Sequence, residues 1–164
     1  MEKLFIMSGI PGSGKSTYLK NIPRFGTVVI SRDDIRLSLL KKDDDYFLYE
    51  PIVQTMFYEG IKKSLQLKLN VYADQTSITP TARKRLMYQI HTPCEFNAIW
   101  LDTPLEECLK RNGRRCGRKL VPENAIINMS KNFIPPSYKE GFANIYRIYN
   151  NGNCCEKILK TGKT

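Results

Sequence analysis

The sequence predicts an α/β fold built on a mainly parallel, five-stranded sheet with helices on both faces. Two observations lead to this prediction. Short apolar or β-branched runs alternate along the chain with longer segments of helical periodicity, the pattern of parallel strands joined by crossover helices. The first run leads directly into residues 9–16, whose spacing G-x-x-x-x-G-K-S is that of a phosphate-binding loop between a strand and a helix. The length of 164 residues predicts a single domain, residues 1–164.

The first half of the chain divides at its turn residues. Residues 3–7 form a short apolar run that predicts a buried strand, and the helix that starts at residue 16 ends near residue 23. Residues 27–30 are a β-branched run and predict the second strand. Ser31 or Asp33 is positioned to cap a following helix. A long helix from about residue 50 to residue 69 is predicted from apolar residues at helical spacing, namely Ile52, Met56, Phe57, Ile61 and Leu65.

The second half of the chain continues the alternation. The third, fourth and fifth strands are predicted at residues 71–73, 96–101 and 145–149. Prolines at positions 80, 104 and 122 mark the starts of helices that end near residues 91, 111 and 133. The Asn-Gly pair at 151–152 predicts a turn, after which residues 156–159 return as an edge strand.

The loop after the first strand is the predicted nucleotide site. Its glycines permit backbone conformations and close approaches closed to other residues, so successive N–H groups can surround a phosphate. Lys15 would reach the β- and γ-phosphates of ATP, and the Ser16 hydroxyl would hold Mg²⁺. A chance glycine turn is the alternative, with odds on the order of one in a hundred in a chain of this length. The predicted nucleotide-binding residues of the loop are Gly9, Ile10, Pro11, Gly12, Ser13, Gly14, Lys15, Ser16 and Thr17.

Further chemistry is expected at the same edge of the sheet, because ligands of parallel sheets lie beyond the carboxyl ends of the strands. Asp33, just after the second strand, is the best candidate for a base that accepts the proton of an acceptor hydroxyl. Asp34 is its rival, and helix capping is the alternative role for Asp33. The segments that the rule selects are residues 9–16, 31–36, 74–77 and 102–103.

Two more residues at this edge have the right chemistry. Arg36 lies one helical turn after Asp33, where it could hold a phosphate of the acceptor or be an ordinary surface arginine. Asp74 ends the third strand, where an acidic residue would be useful near the metal, although an Asp that starts a turn occupies the same position.

Residues 112–119 are rich in Gly and Arg and predict a mobile lid over this edge. Arginine offers planar, always-charged donors for phosphate oxygens. A solvated run of charges is the alternative interpretation. The arginines in question are Arg111, Arg114, Arg115 and Arg118.

The chain contains 26 Lys and Arg residues against 16 Asp and Glu residues, a net charge of +10. This balance favours an anionic partner, nucleotide or nucleic acid, with a solvated basic surface as the alternative. The basic segment 83–85, near the same sheet edge, would attract further phosphates. There is no apolar run of membrane-spanning length and no N-terminal signal, and the five cysteines lack zinc-ligand spacing. We therefore expect a cytoplasmic protein with reduced thiols and no membrane partner.

Four segments together resemble the kinase domain of bacteriophage-type polynucleotide 5′-hydroxyl kinases. They are IPGSGKST after the first strand, SRDDIR after the second, ADQT after the third, and KRNGRR at residues 110–115 before Val121 and Pro122. The phosphate loop alone is not specific to this family, whereas the R-D-D-x-R element with an arginine lid is much more so. The resemblance implies strand order 2-3-1-4-5 and transfer of the γ-phosphate of ATP to the 5′-OH end of DNA or RNA, in the host cytoplasm if a phage encodes the protein.

The resemblance also implies roles for single residues. Asp33 would be the general base, Arg36 would bind the acceptor's 3′-phosphate, and Arg115 would be the lid arginine on the donor phosphates. The catalytic residues would be Lys15, Asp33, Arg36 and Arg115; Arg111 would join Arg115 at the nucleotide; and the acceptor-binding residues would be Asp33, Arg36, Asp74, Gln75 and Thr76.

The sequence departs from the family pattern at three points. Gln75 stands where Asn or Thr is expected, and the lid is one residue longer, so Arg114 and Arg118 compete for the role of Arg115. The aspartate motif of a phosphatase domain is absent, so 3′-end processing is not expected of this chain. Kinases of nucleosides, sugars or aminoacylated tRNA remain alternatives within the enzyme class. A switch protein that hydrolyses ATP slowly is the alternative from another class.

Overall fold

The computed structural model describes residues 1–150 and 155–160, with the side chains described up to residue 149. Within this part of the chain, one sheet of six strands has the order β2-β3-β1-β4-β5-β6. The first five strands are parallel, in the predicted order 2-3-1-4-5, and β6 pairs antiparallel with β5 at the edge. The turn predicted at 151–152 lies outside the described residues. The strands are β1 (Lys3–Ser8), β2 (Thr27–Ser31), β3 (Asn70–Asp74), β4 (Glu95–Asp102), β5 (Asn144–Asn150) and β6 (Cys155–Lys160).

Six α-helices alternate with these strands in the described residues. They are α1 (Lys15–Lys20), α2 (Arg32–Leu39), α3 (Glu50–Gln66), α4 (Pro80–Gln89), α5 (Leu105–Asn112) and α6 (Glu123–Lys131). Two 3₁₀ turns are found at Gly117–Lys119 and Tyr138–Glu140. Pro80 starts α4 as predicted, because the missing N–H of proline costs nothing in the first turn of a helix. None of the described helices is both long and apolar enough to cross a membrane.

The sheet is covered by helices on both faces, as predicted. On one face, Phe57 and Ile61 of α3 and Leu86 of α4 pack with Leu4 and Ile6 of β1. On the other face, Leu19 of α1 packs with a cluster that includes Met7, Ile99 and Leu101. A third, smaller cluster joins Ile10, Cys108 and Ile126, and so packs the loop after β1 against α5 and α6.

Two of the apolar residues that predicted α3 lie outside its buried face. Ile52 and Met56 are 52% and 44% exposed, whereas Val53 is fully buried. The buried face of α3 follows residues 53, 57, 61 and 65, a strict four-residue spacing. Ile52 and Met56 lie beside that stripe, and the helix that their spacing helped to predict is confirmed.

Candidate active site

The loop between β1 and α1 has a backbone that only glycine permits at two positions. Gly12 and Gly14 have φ angles of +85° and +100°, in the left-handed region. A Cβ atom on Gly12 would lie 2.3 Å from the carbonyl oxygen of Cys108 on α5. The loop therefore packs directly on the backbone of α5, and this contact sets its shape.

The loop is also tied to the end of β4. The Thr103 hydroxyl donates a 2.9 Å hydrogen bond to the Ser13 carbonyl, and the Ser13 N–H donates to the Ile10 carbonyl at 3.2 Å. The Ser13 hydroxyl is buried, and among the described residues it has no hydrogen-bond partner. The first N–H groups of α1 also lack intrahelical partners, as at any helix start. This surplus of donors around a tight loop fits the phosphates of a nucleotide.

Lys15 is the first residue of α1, and its ammonium turns back to the loop. Its ammonium donates to the carbonyls of Gly9 and Ile10 at 2.6 and 3.0 Å. Burial lowers the Lys15 pKa to about 8, with a further decrease from the Arg115 guanidinium; Asp74 and Asp33 act in the opposite direction. The two cations and the two carboxylates therefore share one electrostatic environment.

Asp74 lies beside β2 at the same edge. It is paired in register with Ser31, the last residue of β2. Burial raises the pKa of the Asp74 carboxyl, against the opposing effects of the Lys15 ammonium and a hydrogen bond with Ser31. The structure thus brings Lys15, Asp33 and Asp74 together from the ends of three neighbouring strands.

Asp33 is not the cap of α2. The Ser31 hydroxyl accepts a hydrogen bond from the Asp34 N–H at 3.3 Å and fills that role. The Asp33 side chain is 69% exposed. Its Oδ1 atom accepts hydrogen bonds from Arg36 and from the Tyr46 hydroxyl, while no described residue donates to Oδ2. One oxygen of the carboxylate is therefore fixed and the other faces outward.

Arg36 is only 5% exposed, so its interpretation as an ordinary surface arginine is wrong. Its Nε and Nη2 atoms both donate to Oε2 of Glu50, at 3.1 and 2.8 Å, and Nη1 donates to Asp33. Arg32 binds the other oxygen of Glu50 and reaches Gln75 at 3.4 Å. The hydrogen bonds with Glu50 keep the pKa of Arg36 above its ordinary value despite burial.

Glu50 and Tyr46 were missed by the sequence analysis. They lie 14 and 10 residues beyond Arg36, on either side of a turn. Nothing in the charged segment 41–45 indicates that the chain folds back there. Proximity of an acidic residue to the start of a helix was the one available signal for Glu50, and it suggests capping rather than an ion pair.

The arginines of the lid segment have different surroundings. Arg111 donates to Glu107 at 2.8 Å and to the Gly12 carbonyl at 3.5 Å. Arg115 is half-buried near Lys15, and Arg114 is exposed. Arg118 donates to the carbonyls of residues 41, 42 and 44, at 2.8, 2.7 and 3.0 Å. The lid therefore spans the crevice, from the nucleotide loop at one end to the segment before α3 at the other.

The remaining predicted residues lie at the edges of this arrangement. Gln75 donates to the Ser77 hydroxyl at 3.1 Å, and Thr76 is exposed. Ser16 and Thr17 are exposed at the start of α1. No group of three or more His, Cys, Asp or Glu side chains suited to a metal ion occurs among the described residues.

Two charged side chains of the segments expected near the edge form ion pairs within the fold instead. Asp102 accepts a 2.8 Å hydrogen bond from Arg147 of β5. Arg83 is fully buried and binds both oxygens of Glu140, at 2.8 Å each. The expectation that Arg83 attracts phosphates was therefore wrong, whereas its neighbours Lys84 and Arg85 are exposed.

Similarity to known proteins agrees with this geometry. An L-seryl-tRNA(Sec) kinase of Methanococcus maripaludis is 32% identical over 144 residues, which are 83% of this chain and 54% of the relative. A protein named as a bifunctional polynucleotide kinase/RNA ligase of Autographa californica nuclear polyhedrosis virus is 27% identical, over 81% of this chain and 21% of its own length. A chain of the Pnkp1/Rnl/Hen1 RNA repair complex matches with a TM-score of 0.71 and 28% identity, over 80% of this chain and 43% of that chain.

The chain thus spans about half or less of the length of these relatives. The family model described as an AAA domain matches residues 4–136, which include the loop after β1, the acidic edge and the lid. The chain therefore belongs to the AAA_33 family of AAA domains and has the P-loop kinase fold.

Proposed function

We propose that the protein is an ATP-dependent kinase that transfers the γ-phosphate to the 5′-hydroxyl end of a polynucleotide. The observation that carries the proposal is the Asp33 carboxylate, which shares the edge with Lys15 and is held by one oxygen only. A phosphoryl-transfer enzyme needs cations at the donor phosphates and an oriented carboxylate at the acceptor hydroxyl. A protein that only binds or hydrolyses ATP has no use for the second of these.

The donor side is formed by the loop and the lid. Free backbone N–H groups of the loop would surround the phosphates of ATP, and Lys15 would contact the β- and γ-phosphates. The Ser16 hydroxyl would hold Mg²⁺, which would neutralise the charge that develops during transfer. Arg115 approaches from the lid, already close enough to Lys15 to affect its pKa, and Arg111 accompanies it through its contact with the loop.

The acceptor side is centred on Asp33. The outward oxygen Oδ2 accepts the proton as the acceptor oxygen attacks the γ-phosphate, which is general-base catalysis. Asp74, Gln75 and Thr76 line the neighbouring turn and support the acceptor sugar. Arg36 fixes the base through Oδ1 of Asp33. A contact of Arg36 with a 3′-phosphate stays a prediction. Its guanidinium already donates hydrogen bonds to Glu50, Asp33 and Tyr46.

The similarity to polynucleotide kinase and RNA repair proteins supports a nucleic-acid acceptor. The net charge of +10 supports the same choice, since it favours polyanions. The resemblance to the bacteriophage-type enzymes, noted in the sequence, is part of this proposal.

A second function has a specific observation in its favour. The relative with 32% identity is a kinase of L-seryl-tRNA(Sec), whose name places a tRNA-linked serine in the acceptor position. The same base would serve, because a serine hydroxyl and a 5′-hydroxyl are both primary alcohols. The two acceptors differ in what surrounds the hydroxyl, and not in the transfer step.

The test measures transfer from labelled ATP to a panel of acceptors by purified protein. The panel contains 5′-OH DNA and RNA oligonucleotides, a free nucleoside, gluconate as a sugar acid and seryl-tRNA(Sec). We expect kcat/KM to be highest for the 5′-OH oligonucleotides, and a folded Lys15→Ala variant to be inactive with all of them. Transfer to seryl-tRNA(Sec) alone would replace the proposal with its alternative, and ATP hydrolysis without any phosphorylated acceptor would contradict both.

A further inference from the structure

An exposed apolar surface lies next to the proposed base, on the turn before α3. Phe47 is 62% exposed, and Leu48, Ile52 and Met56 are exposed with it. Ile52 and Met56 are one helical turn apart on α3, and Leu48 lies in the turn before that helix. A single exposed apolar residue needs no explanation, whereas a group of them beside polar groups marks a binding surface.

The Phe47 ring is held in a fixed position. Its centroid lies 5.0 Å from that of Tyr46, edge to face at 88°. The Arg36 guanidinium lies over both rings, 4.9 Å from the Tyr46 centroid and 5.5 Å from that of Phe47. The Phe47 N–H donates to the Asp45 carboxylate at 2.9 Å, and its carbonyl accepts from the Glu50 N–H at 3.0 Å. Backbone and ring are therefore preorganised, although much of the ring is open to solvent.

The exposed ring is connected to the base by one residue. The Tyr46 hydroxyl donates to Oδ1 of Asp33 at 3.3 Å, and the Tyr46 ring contacts that of Phe47. Asp33, Tyr46 and Phe47 therefore form a row of contacts that starts at the proposed position of the acceptor hydroxyl. A nucleotide has the matching order of 5′-hydroxyl, ribose and base.

We propose that Phe47 stacks on the nucleobase of the acceptor's terminal nucleotide while its 5′-hydroxyl lies at Asp33. This inference rests on the proposed function and specifies the acceptor as one with a base on the reacting sugar. Stacking on an aromatic ring is tolerant of base identity, because every base has a π face. Phe47 therefore discriminates between the presence and absence of a base, and not among the four bases.

The experiment compares two 5′-OH oligonucleotides that differ only at the terminal nucleotide, one with a base and one abasic. The quantity measured is kcat/KM for the full chain, at saturating ATP. The variants are Phe47→Ala, Phe47→Leu, which keeps an apolar side chain without a ring, and Phe47→Trp, which enlarges the ring. Phe25→Ala is the matched control, since Phe25 is 100% exposed and precedes β2 at the opposite end of the sheet. Circular dichroism confirms that each variant is folded.

Wild type and Phe25→Ala are expected to prefer the base-bearing oligonucleotide by about 5- to 150-fold, the range for base–aromatic stacking. Phe47→Ala and Phe47→Leu should reduce this ratio to near one by lowering only the base-bearing value, and Phe47→Trp should retain the preference. Equal use of both oligonucleotides by wild type would overturn the inference and leave the proposed function intact, and so would a preference that survives in Phe47→Ala. Absence of transfer to either oligonucleotide by wild type would overturn the proposed function and the inference together.

Discussion

The burial of Lys15 disfavours its charged form, and this makes both stability and ATP binding depend on pH. Burial lowers its pKa from 10.5 to about 8, so between these pH values the folded protein binds fewer protons here than the unfolded chain. The contribution of Lys15 to stability therefore increases as the pH rises from about 8 to 10.5. Nucleotide phosphates favour the charged form, so ATP binding should have the opposite dependence on pH.

We predict that ATP binding takes up about half a proton at Lys15 at pH 8, because about half of the free protein is neutral there and the complex is charged. Isothermal titration calorimetry in buffers of different ionisation enthalpy measures this uptake. Lys15→Arg is the control, since arginine keeps its charge at any pH used. Equal proton uptake by wild type and Lys15→Arg would contradict the prediction.

Asp33 and Asp34 are adjacent carboxylates with different surroundings, which makes each a control for the other. We predict that Asp33→Asn lowers kcat by about 10²–10⁴ with little change in the KM for ATP, because it removes the base and keeps the shape. Asp34→Asn should stay within a few-fold of wild type, since the α2 cap is the Ser31 hydroxyl and the Asp34 backbone N–H. Steady-state kinetics of both variants with the best acceptor of the panel measure these effects. The reverse pattern would assign the base to Asp34.

At the scale of elements, the position of the nucleotide loop depends on its contact with α5. Gly12 and Gly26 both have positive φ angles, +85° and +64°. A Cβ on Gly12 would also lie 2.9 Å from the carbonyl carbon of Cys108, whereas no atom of the described residues, chain neighbours aside, lies within 4 Å of one on Gly26. Substitution of Gly26 therefore adds backbone strain alone, whereas substitution of Gly12 adds backbone strain and steric overlap.

We predict that Gly26→Ala lowers the free energy of unfolding by about 1–2 kcal/mol, the cost of a left-handed residue. Gly12→Ala should cost about 2–5 kcal/mol, because displacement of α5 is added, and it should abolish ATP binding. Urea unfolding gives the free energies, and calorimetry gives the binding. Similar losses in the two variants would show that the contact with α5 is unimportant.

The lid joins elements that are far apart in the chain. Arg111 contacts the carbonyl of Gly12, and Arg118 contacts the segment that leads to Tyr46 and Phe47. Residues 111–118 therefore link the nucleotide loop to the segment before α3.

At the scale of the whole molecule, Arg83 connects four parts of the fold. From α4 it binds Glu140, the Pro135 carbonyl at 3.3 Å and the Ser77 carbonyl at 3.0 Å. The Ser8 hydroxyl, one residue before the nucleotide loop, donates to the same Ser77 carbonyl at 2.8 Å. A buried charge pair thus sits directly beneath the active edge.

We predict that Arg83→Met lowers the free energy of unfolding by about 3–5 kcal/mol, because it leaves the Glu140 carboxylate buried and unpaired. The double variant Arg83→Met/Glu140→Leu should recover part of this loss. Lys84→Met, at the exposed neighbouring position, should change stability by less than about 0.5 kcal/mol. Urea denaturation measures all three. If Arg83→Met were as stable as Lys84→Met, the structural role assigned to Arg83 would be contradicted.

The net charge of +10 predicts how the whole protein responds to salt under the proposed function. Each phosphate of a single strand that the protein neutralises releases counterions, and it contributes a slope of about −0.7 in the plot of log affinity against log salt. The slope for 5′-OH oligonucleotides should therefore be several times steeper than that for a nucleoside 3′-phosphate. Lys84→Ala should reduce it by about 0.7, whereas Lys20→Ala, at the far end of α1, should not. A slope near zero for oligonucleotides would contradict the prediction.

The sequence by itself determined the strand order through family resemblance, and the glycine loop through its spacing. It determined the alternation of strands and helices because these depend on local periodicity and on prolines such as Pro80. It also selected the edge at which Lys15, Asp33 and Asp74 meet, because the carboxyl ends of parallel strands lie together.

Only the tertiary structure decided how the charged residues are used. Arg36 and Arg83 look like surface residues in the sequence, and both are buried against carboxylates 14 and 57 residues away. The fit of Gly12 on α5 and the bond from Thr103 to the loop, 90 residues apart, have no local signal either. The physical reason is that a charge or a glycine is compatible with many surroundings, and its partner is fixed only when distant segments pack together.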